Sequence, residues 1–444
     1  MFKKLLIANR GEIAVRIIRA CKEMGIQSVA VFSEADADSL HVSLADESYC
    51  IGPAFVKDSY LNSAAILSTA LACHAEAIHP GYGLLSENAG FAGLCAQHGI
   101  TFVGPPAEVI SKMGDKIEAR KTMKGAEVPV IPGCDAVFEP DAAAQEAKKI
   151  GYPLLIKARS GGGGRGIRLV REETEFARAY SAASAEAKAA FGDEAVYLEK
   201  FLSPAKHIEI QLLCDNFGNI VCLGERECSI QRKNQKLIEE SPSPAITDEI
   251  RRAMCDASMK AAAAVSYRGA GTIEYLLDRD GKFCFMEMNT RLQVEHPVTE
   301  MVTGIDLVKW QLRIASGMPL DFASEEAALR GHAIECRINA ENPSENFRPS
   351  SGKITLLHIP SGPWVRFDTA LYQDYTVPPF YDSLVGKLIV HAKTREEAIR
   401  KMRSSLCELV IEGIDHNREY QMELLSSEEF ESGAYTTDTF ANRG

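Results

Sequence analysis

The chain has 444 residues, 46% hydrophobic and 25% charged, with a formal net charge of −12. That length holds two or three domains with sizeable cores, and the acidic balance argues against a general nucleic-acid or anionic-membrane binder, which needs a basic surface. Twelve scattered cysteines include no Cys-x-x-Cys pair, so structural zinc is disfavoured. Cys21, Cys222, Cys284 and Cys336 read as small buried thiols of a reducing, cytoplasmic compartment.

The first hundred residues alternate strand and helix signals. Met1 to Asn9 is too short for a signal peptide or a membrane span. Lys4 to Ala8 reads as a short apolar strand. Gly11 to Met24 reads as a helix with Ile13, Ile17, Cys21 and Met24 on one face, ended by Gly25. Further strands are predicted at Ser28 to Phe32, Ala77 to His79 and Thr101 to Val103. This order implies a parallel sheet covered by helices. No G-x-G-x-x-G follows the first strand, so a dinucleotide site is disfavoured. Arg16 and Arg19 fall on the polar helix face, as subunit contacts or as solvated side chains.

A second unit spans about Val130 to Leu202. It reads helix (Asp141 to Ile150), strand (Leu154 to Ala158), glycine loop, strand (Ile167 to Val170), alanine-rich helix (Glu173 to Ala190) and strand (Val196 to Lys200). Gly161, Gly162, Gly163 and Gly164 let a backbone approach a ligand, and their N–H groups can nest an anion. Lys157 ends the preceding strand, and Lys116 stands in Met113-Gly-Asp-Lys116. The context is not a Walker loop, which precedes a helix; phosphate contact by a mobile lid fits better. His207 opens an apolar strand, where by itself it reads as structural. Glu227 to Lys236 mixes cations and amides, including Gln231 and Asn234, and by itself reads equally well as a solvated loop.

A hairpin is predicted from Ala270 to Glu287, with Asp280-Gly281 as a two-residue turn. Pairing Arg279 with Lys282 then places Glu274 opposite Glu287. Like charges there destabilise a sheet unless something lies between them, and two facing carboxylates suit Mg²⁺. Two glutamates facing water is the alternative, and a longer loop shifts the register by one. Directly after comes the most telling stretch. Glu287, Asn289, Arg291, Gln293 and Glu295 alternate with Met288, Thr290, Leu292 and Val294. In an extended strand the five polar residues share one face, with Met286 on the apolar one. Burying such charges is costly unless each is paired or bound. Beyond Gly331, strands are predicted at His332 to Asn339, Gly352 to His358 and Leu384 to Ala392, with a helix from Arg395 to Glu408. The polar tail after Ser426 reads as loosely ordered.

Together these stretches resemble the biotin carboxylase component of biotin-dependent carboxylases, within the ATP-grasp superfamily. The resemblance is carried by Ile7-Ala-Asn-Arg-Gly-Glu-Ile-Ala, His79-Pro-Gly-Tyr-Gly, Met113-Gly-Asp-Lys, the glycine loop, Glu227 to Lys236, the stretch from Glu287 through His296-Pro to Glu300, and Glu335-Cys-Arg-Ile-Asn-Ala-Glu. It implies an α/β (α+β) chain: an N-terminal parallel α/β domain over 1–112, an ATP-grasp domain over 113–330 with a lid over 130–203, and a C-terminal mixed α/β domain over 331–444.

The resemblance also implies roles. Lys116, Lys157 and the glycines contact ATP phosphates. Glu199, Lys200 and Leu202 hold adenine, largely through backbone, with His207, Gln231 and Asn234 near the nucleotide. Glu274, Glu287 and Asn289 bind Mg²⁺ or Mn²⁺. Lys236, Arg291, Gln293 and the Val294 backbone bind bicarbonate, and because metal and bicarbonate must both fit along it, the stretch is expected to leave sheet pairing near Arg291 as an extended loop. Glu295 is the base, Arg337 stabilises the biotin enolate, and Tyr82 lies near the biotin ring. Asn234 stands where some members have histidine, and Arg159 where a small residue is usual. No lysine lies between two methionines, so biotin is expected on a separate carrier protein, with separate carboxyltransferase subunits and a homodimer. Acetyl-CoA carboxylase is the favoured context, with pyruvate or propionyl-CoA systems as the alternative. Another ATP-grasp ligase, or a nucleotide-sensing scaffold, accounts for fewer of these residues.

Overall fold

Short apolar strands alternating with helices build the first layer. A computed structural model describes residues 1–134, 139–159 and 166–441. Strands β1 (Lys4–Ile7), β2 (Gln27–Phe32), β3 (Glu47–Cys50), β4 (Ala77–His79) and β5 (Thr101–Phe102) form a sheet of order β3-β2-β1-β4-β5. All its pairings are parallel. The helix Gly11–Glu23 buries Ile13, Ile17 and Cys21 against it. The two arginines of the helix's polar face differ in their surroundings. Arg16 is buried, and Nη2 donates to Glu300 (2.8 Å) and Asp306 (2.7 Å) of the same chain, whereas Arg19 is exposed.

The second unit is a small antiparallel sheet, β7-β6-β8, made of β6 (Leu154–Ala158), β7 (Ile167–Val170) and β8 (Val196–Lys200). The alanine content serves close packing. Ala143 and Ala147 of helix Pro140–Ile150, and Ala183 and Ala187 of helix Phe176–Phe191, are buried with Leu154, Ile156 and Leu198. The expected helix start at Glu173 is a single 3-10 turn, Glu173–Glu175, before the α-helix. Gly161 to Gly164 lie outside the described residues.

The third layer holds the site. Strands β9 (Lys206–Cys214), β10 (Ile220–Arg232), β11 (Gln235–Ser241), β12 (Gly269–Leu277), β13 (Phe283–Asn289) and β14 (His332–Asn339) join Leu384–Ala392 and Val365–Thr369 in one eight-stranded sheet. Because β11 pairs with β14, the sheet continues across residue 330 without a break.

The hairpin differs from expectation in an instructive way. The turn is longer: the Asp278 N–H donates to the Lys282 carbonyl, and Leu277 pairs with Phe283. That shifts the register by one. A β-bulge at Met286, between the pairs Tyr275↔Phe285 and Glu274↔Glu287, shifts it back. Glu274 therefore faces Glu287 as predicted, for a different reason. The bulge also turns Met286 toward the cavity beside Glu287, not onto the apolar face.

Three other expectations fail. The span Gly352 to His358 forms two short strands, Gly352–Lys353 and Leu356–His358, each pairing elsewhere. The tail past Ser426 is packed: Phe430, Tyr435 and Phe440 are buried. Cys222, read as a thiol, is disulfide-bonded to Cys255, joining β10 to helix Asp248–Ala264. Among the described residues no helix is long and apolar enough to cross a membrane.

Candidate active site

A cavity of about 950 Å³ opens where the three layers meet. Lys116, Lys157, Lys200, Leu202, His207, Gln231 and Asn234 line it at one end. Glu274, Glu287 and Asn289 line it at the centre, with Lys236, Arg291, Gln293, Val294, Glu295, Arg337 and Tyr82. Of the described candidates only Glu199 does not. Its carboxylate is buried beneath, 2.6 Å from Lys157 Nζ and 3.4 Å from Arg120 Nη1, so it holds Lys157 from behind.

Asp115 caps the helix Lys116–Gly125 and also accepts from Arg159 Nε at 2.8 Å. The unusual Arg159 is thus tied to the base of the Lys116 helix. Lys233 and Asn234 both have positive φ (49° and 64°) at the tip of the β10–β11 hairpin. Asparagine tolerates that conformation, which accounts for its presence there.

At the centre, Glu274 is surrounded by donors. Its Oε1 accepts from Asn289 Nδ2 (2.9 Å), Gln293 Nε2 (3.0 Å) and Lys236 Nζ (3.1 Å), and its Oε2 lies 2.9 Å from His207 Nε2. Burial alone would raise its pKa, but Lys236 and His207 hold it well below the usual carboxylate range. Lys116, 3.0 Å from Glu287, lowers that carboxyl against the opposing effect of burial. The set fits a hard cation. Glu274 and Glu287 offer carboxylate oxygens across one hairpin, the Asn289 amide adds its Oδ1, and all three line the cavity. Glu209 also adjoins His207 and Glu274. Unlike Glu274, it does not line the cavity; its two oxygens accept from Arg226 (2.5 Å) and Lys236 (2.7 Å).

The chain leaves the sheet after Asn289. Residues 290–295 run irregularly into the helix His296–Thr303, yet Arg291, Gln293 and Glu295 still reach the cavity. Arg291 Nε donates to Glu87 (2.9 Å), and its Nη1 to Gln293 Oε1 (2.7 Å). Lys236 Nζ donates to Glu295 Oε1 (2.5 Å), and Arg337 Nη2 to Glu295 Oε2 (2.9 Å). Glu295 is 1% exposed. Burial would raise its pKa, but Lys236 and Arg337 bring it well below the ordinary value, so it stays ionised. Burial would lower the Lys236 pKa, but Cys228, Glu209, Glu274 and Glu295 raise it well above the ordinary value. Among the described residues no acceptor is in hydrogen-bond geometry to the Val294 N–H.

Sequence reasoning missed Glu209, Glu87, Glu12 and Lys387. Glu209 was findable: His207, Glu209 and Gln211 alternate with Ile208 and Ile210 just as the Glu287 stretch does. Glu87, Glu12 and Lys387 lie far along the chain from the residues they hold, and no local spacing marks them.

Three family models match the chain: biotin carboxylase N-terminal domain (residues 1–110), carbamoyl-phosphate synthase L chain ATP-binding domain (115–323) and biotin carboxylase C-terminal domain (335–442). Biotin carboxylase 1 of Bacillus subtilis is 56% identical over 439 residues, covering 98% of each chain.

The chain belongs to the biotin carboxylase family.

Solved members superpose over nearly the whole chain. The Campylobacter jejuni biotin carboxylase, in a beta-gamma-ATP complex, has a TM-score of 0.97 and 48% identity, covering 99% of this chain and 98% of its own. The biotin carboxylase domain dimer of Hydrogenobacter thermophilus 2-oxoglutarate carboxylase, solved with MgADP, ADP and bicarbonate, has a TM-score of 0.96 and 49% identity, covering 99% and 97%. The three-layer arrangement is that of an ATP-grasp biotin carboxylase, and the chain is an ATP-dependent carboxylase of this kind.

Proposed function

We propose that the cavity carries out the ATP- and Mg²⁺-dependent carboxylation of biotin by bicarbonate through carboxyphosphate, the first half-reaction of acetyl-CoA carboxylase in malonyl-CoA supply. The observation that carries this reading is Glu295, a buried carboxylate gripped by Lys236 and Arg337 beside Arg291, Gln293 and a Val294 N–H that has no acceptor among the described residues.

Lys116 and Lys157 meet the ATP phosphates, with Lys200 and Leu202 beside the base. Glu274, Glu287 and Asn289 hold the divalent ion, which when bound neutralises phosphate charge. Arg291, Lys236, Gln293 and the Val294 N–H hold bicarbonate. As the anion takes up the Lys236 ammonium, that ammonium's hold on Glu295 weakens and the carboxylate becomes a better base. Glu295 removes the bicarbonate proton, and the oxygen attacks the γ-phosphorus, breaking its bond to the β,γ-bridging oxygen so that ADP leaves. Carboxyphosphate then breaks down to CO₂ and phosphate. Phosphate takes the biotin N1 proton, Arg337 stabilises charge on the ureido oxygen beside Tyr82, and N1 attacks CO₂.

Biotin arrives on a separate carrier protein, and carboxyltransferase subunits consume the product. The enzyme works in the cytoplasm as a homodimer, as the H. thermophilus domain was solved. Bicarbonate-dependent ADP release, measured with and without free biotin, tests the reading. Stimulation by biotin is expected; turnover indifferent to biotin would overturn it.

A further inference from the structure

We infer that Lys387 is a positioning residue that sets the bicarbonate turn and, through Glu12, links it to Tyr82. The inference rests on the functional reading above and extends it to residues outside the reacting groups.

Lys387, on the strand Leu384–Ala392, is 0% exposed. Burying an ammonium is costly, and an apolar side chain of similar volume packs there at no such cost. Its contacts show what the charge does. Nζ donates to the Val294 carbonyl at 2.8 Å and lies 3.1 Å from Glu12 Oε1. The same Glu12 oxygen accepts from the Tyr82 hydroxyl. Glu12 sits in the first turn of the helix Gly11–Glu23, so one lysine joins the first and third layers of the fold at the cavity wall.

The sheet register adds a second, independent observation. Lys387 is paired with Arg337 on the neighbouring strand. These adjacent cations reach adjacent residues: Lys387 the Val294 carbonyl, Arg337 the Glu295 carboxylate. Val294 and Glu295 lie in an irregular turn with no sheet pairing. The Lys387 bond therefore fixes the peptide that joins the proposed anion-binding N–H to the proposed base. Without it, that peptide can turn, and the geometry between the Val294 N–H, which belongs to the preceding peptide, and the Glu295 carboxylate is no longer fixed.

The test uses the full chain with free biotin. Lys387→Met keeps volume and removes the donor; Glu12→Leu breaks the link to Tyr82; Glu12→Gln keeps an acceptor for both partners. Lys387→Met is expected to raise the KM for bicarbonate about tenfold or more, with the KM for ATP within about twofold. Glu12→Leu is expected to raise the KM values for bicarbonate and biotin together, and Glu12→Gln to return most of the loss. An unchanged bicarbonate KM in folded variants, or a rise matched by ATP, overturns the inference. So does failure of both Lys387→Met and Glu12→Leu to fold, which makes the pair purely structural. Wild-type turnover indifferent to biotin would sink the functional reading instead.

Discussion

Glu274 and Glu287 occupy directly opposed positions on one antiparallel hairpin, with the bulged Met286 restoring that opposition. Two like charges in that arrangement are unfavourable alone. In the cavity they are balanced by different cations, Lys116 on Glu287 and Lys236 on Glu274.

Glu287→Gln removes one charged ligand and releases Lys116. The concentration of Mg²⁺ needed for half-maximal turnover is expected to rise about tenfold or more. Chelation of the wild type should abolish ADP release, and Mg²⁺ or Mn²⁺ should restore it. An unaltered metal requirement in the variant would place the ion elsewhere.

The same hairpin shows how far the sequence could be read. The Asp280-Gly281 signal favours a two-residue turn over a longer loop, and the alternation beyond Glu287 favours an extended stretch that leaves sheet pairing near Arg291. The turn is longer and the strand stops at Asn289, but the alternation still named cavity residues. Period-two patterning reports which side chains share a face; it does not report bulges, which depend on pairing with a distant strand. The tail was misread because Glu428, Glu429 and Glu431 hide the buried Phe430 between them. The Lys387–Glu12 contact spans most of the chain and has no local signature.

The Tyr435 hydroxyl of the tail donates to Glu240, whose ionisation yields a pH prediction. Glu240 is buried; although burial raises its pKa, bonds from His332 Nε2 (2.6 Å) and Arg395 hold it at about 2, below the ordinary 4.5. A lowered folded-state pKa stabilises the fold above the unfolded value, and that contribution is lost as pH falls from about 4.5 toward 2. Glu240→Gln should destabilise the protein at neutral pH by about 3 kcal/mol. In denaturant titrations the gap from wild type should narrow below about pH 4.5. A gap independent of pH would contradict the ionised pairing.

Arg16 is committed within the chain to Glu300 and Asp306. Arg16→Ala leaves buried Glu300 with Arg366 at 2.7 Å as its remaining close arginine, and should cost about 3 kcal/mol of stability. Sedimentation and thermal melting separate the outcomes. Loss of the dimer at unchanged monomer stability would return Arg16 to the subunit interface.

In the proposed mechanism Glu295 removes the bicarbonate proton. Transfer of label from bicarbonate to biotin, followed in wild type and Glu295→Gln alongside ATP affinity, tests it most directly. The amide keeps the shape and cannot accept the proton, so carboxybiotin formation should fall about 10²–10⁴-fold, with ATP binding within about twofold of wild type. Labelled carboxybiotin formed by Glu295→Gln at the wild-type rate would contradict the account.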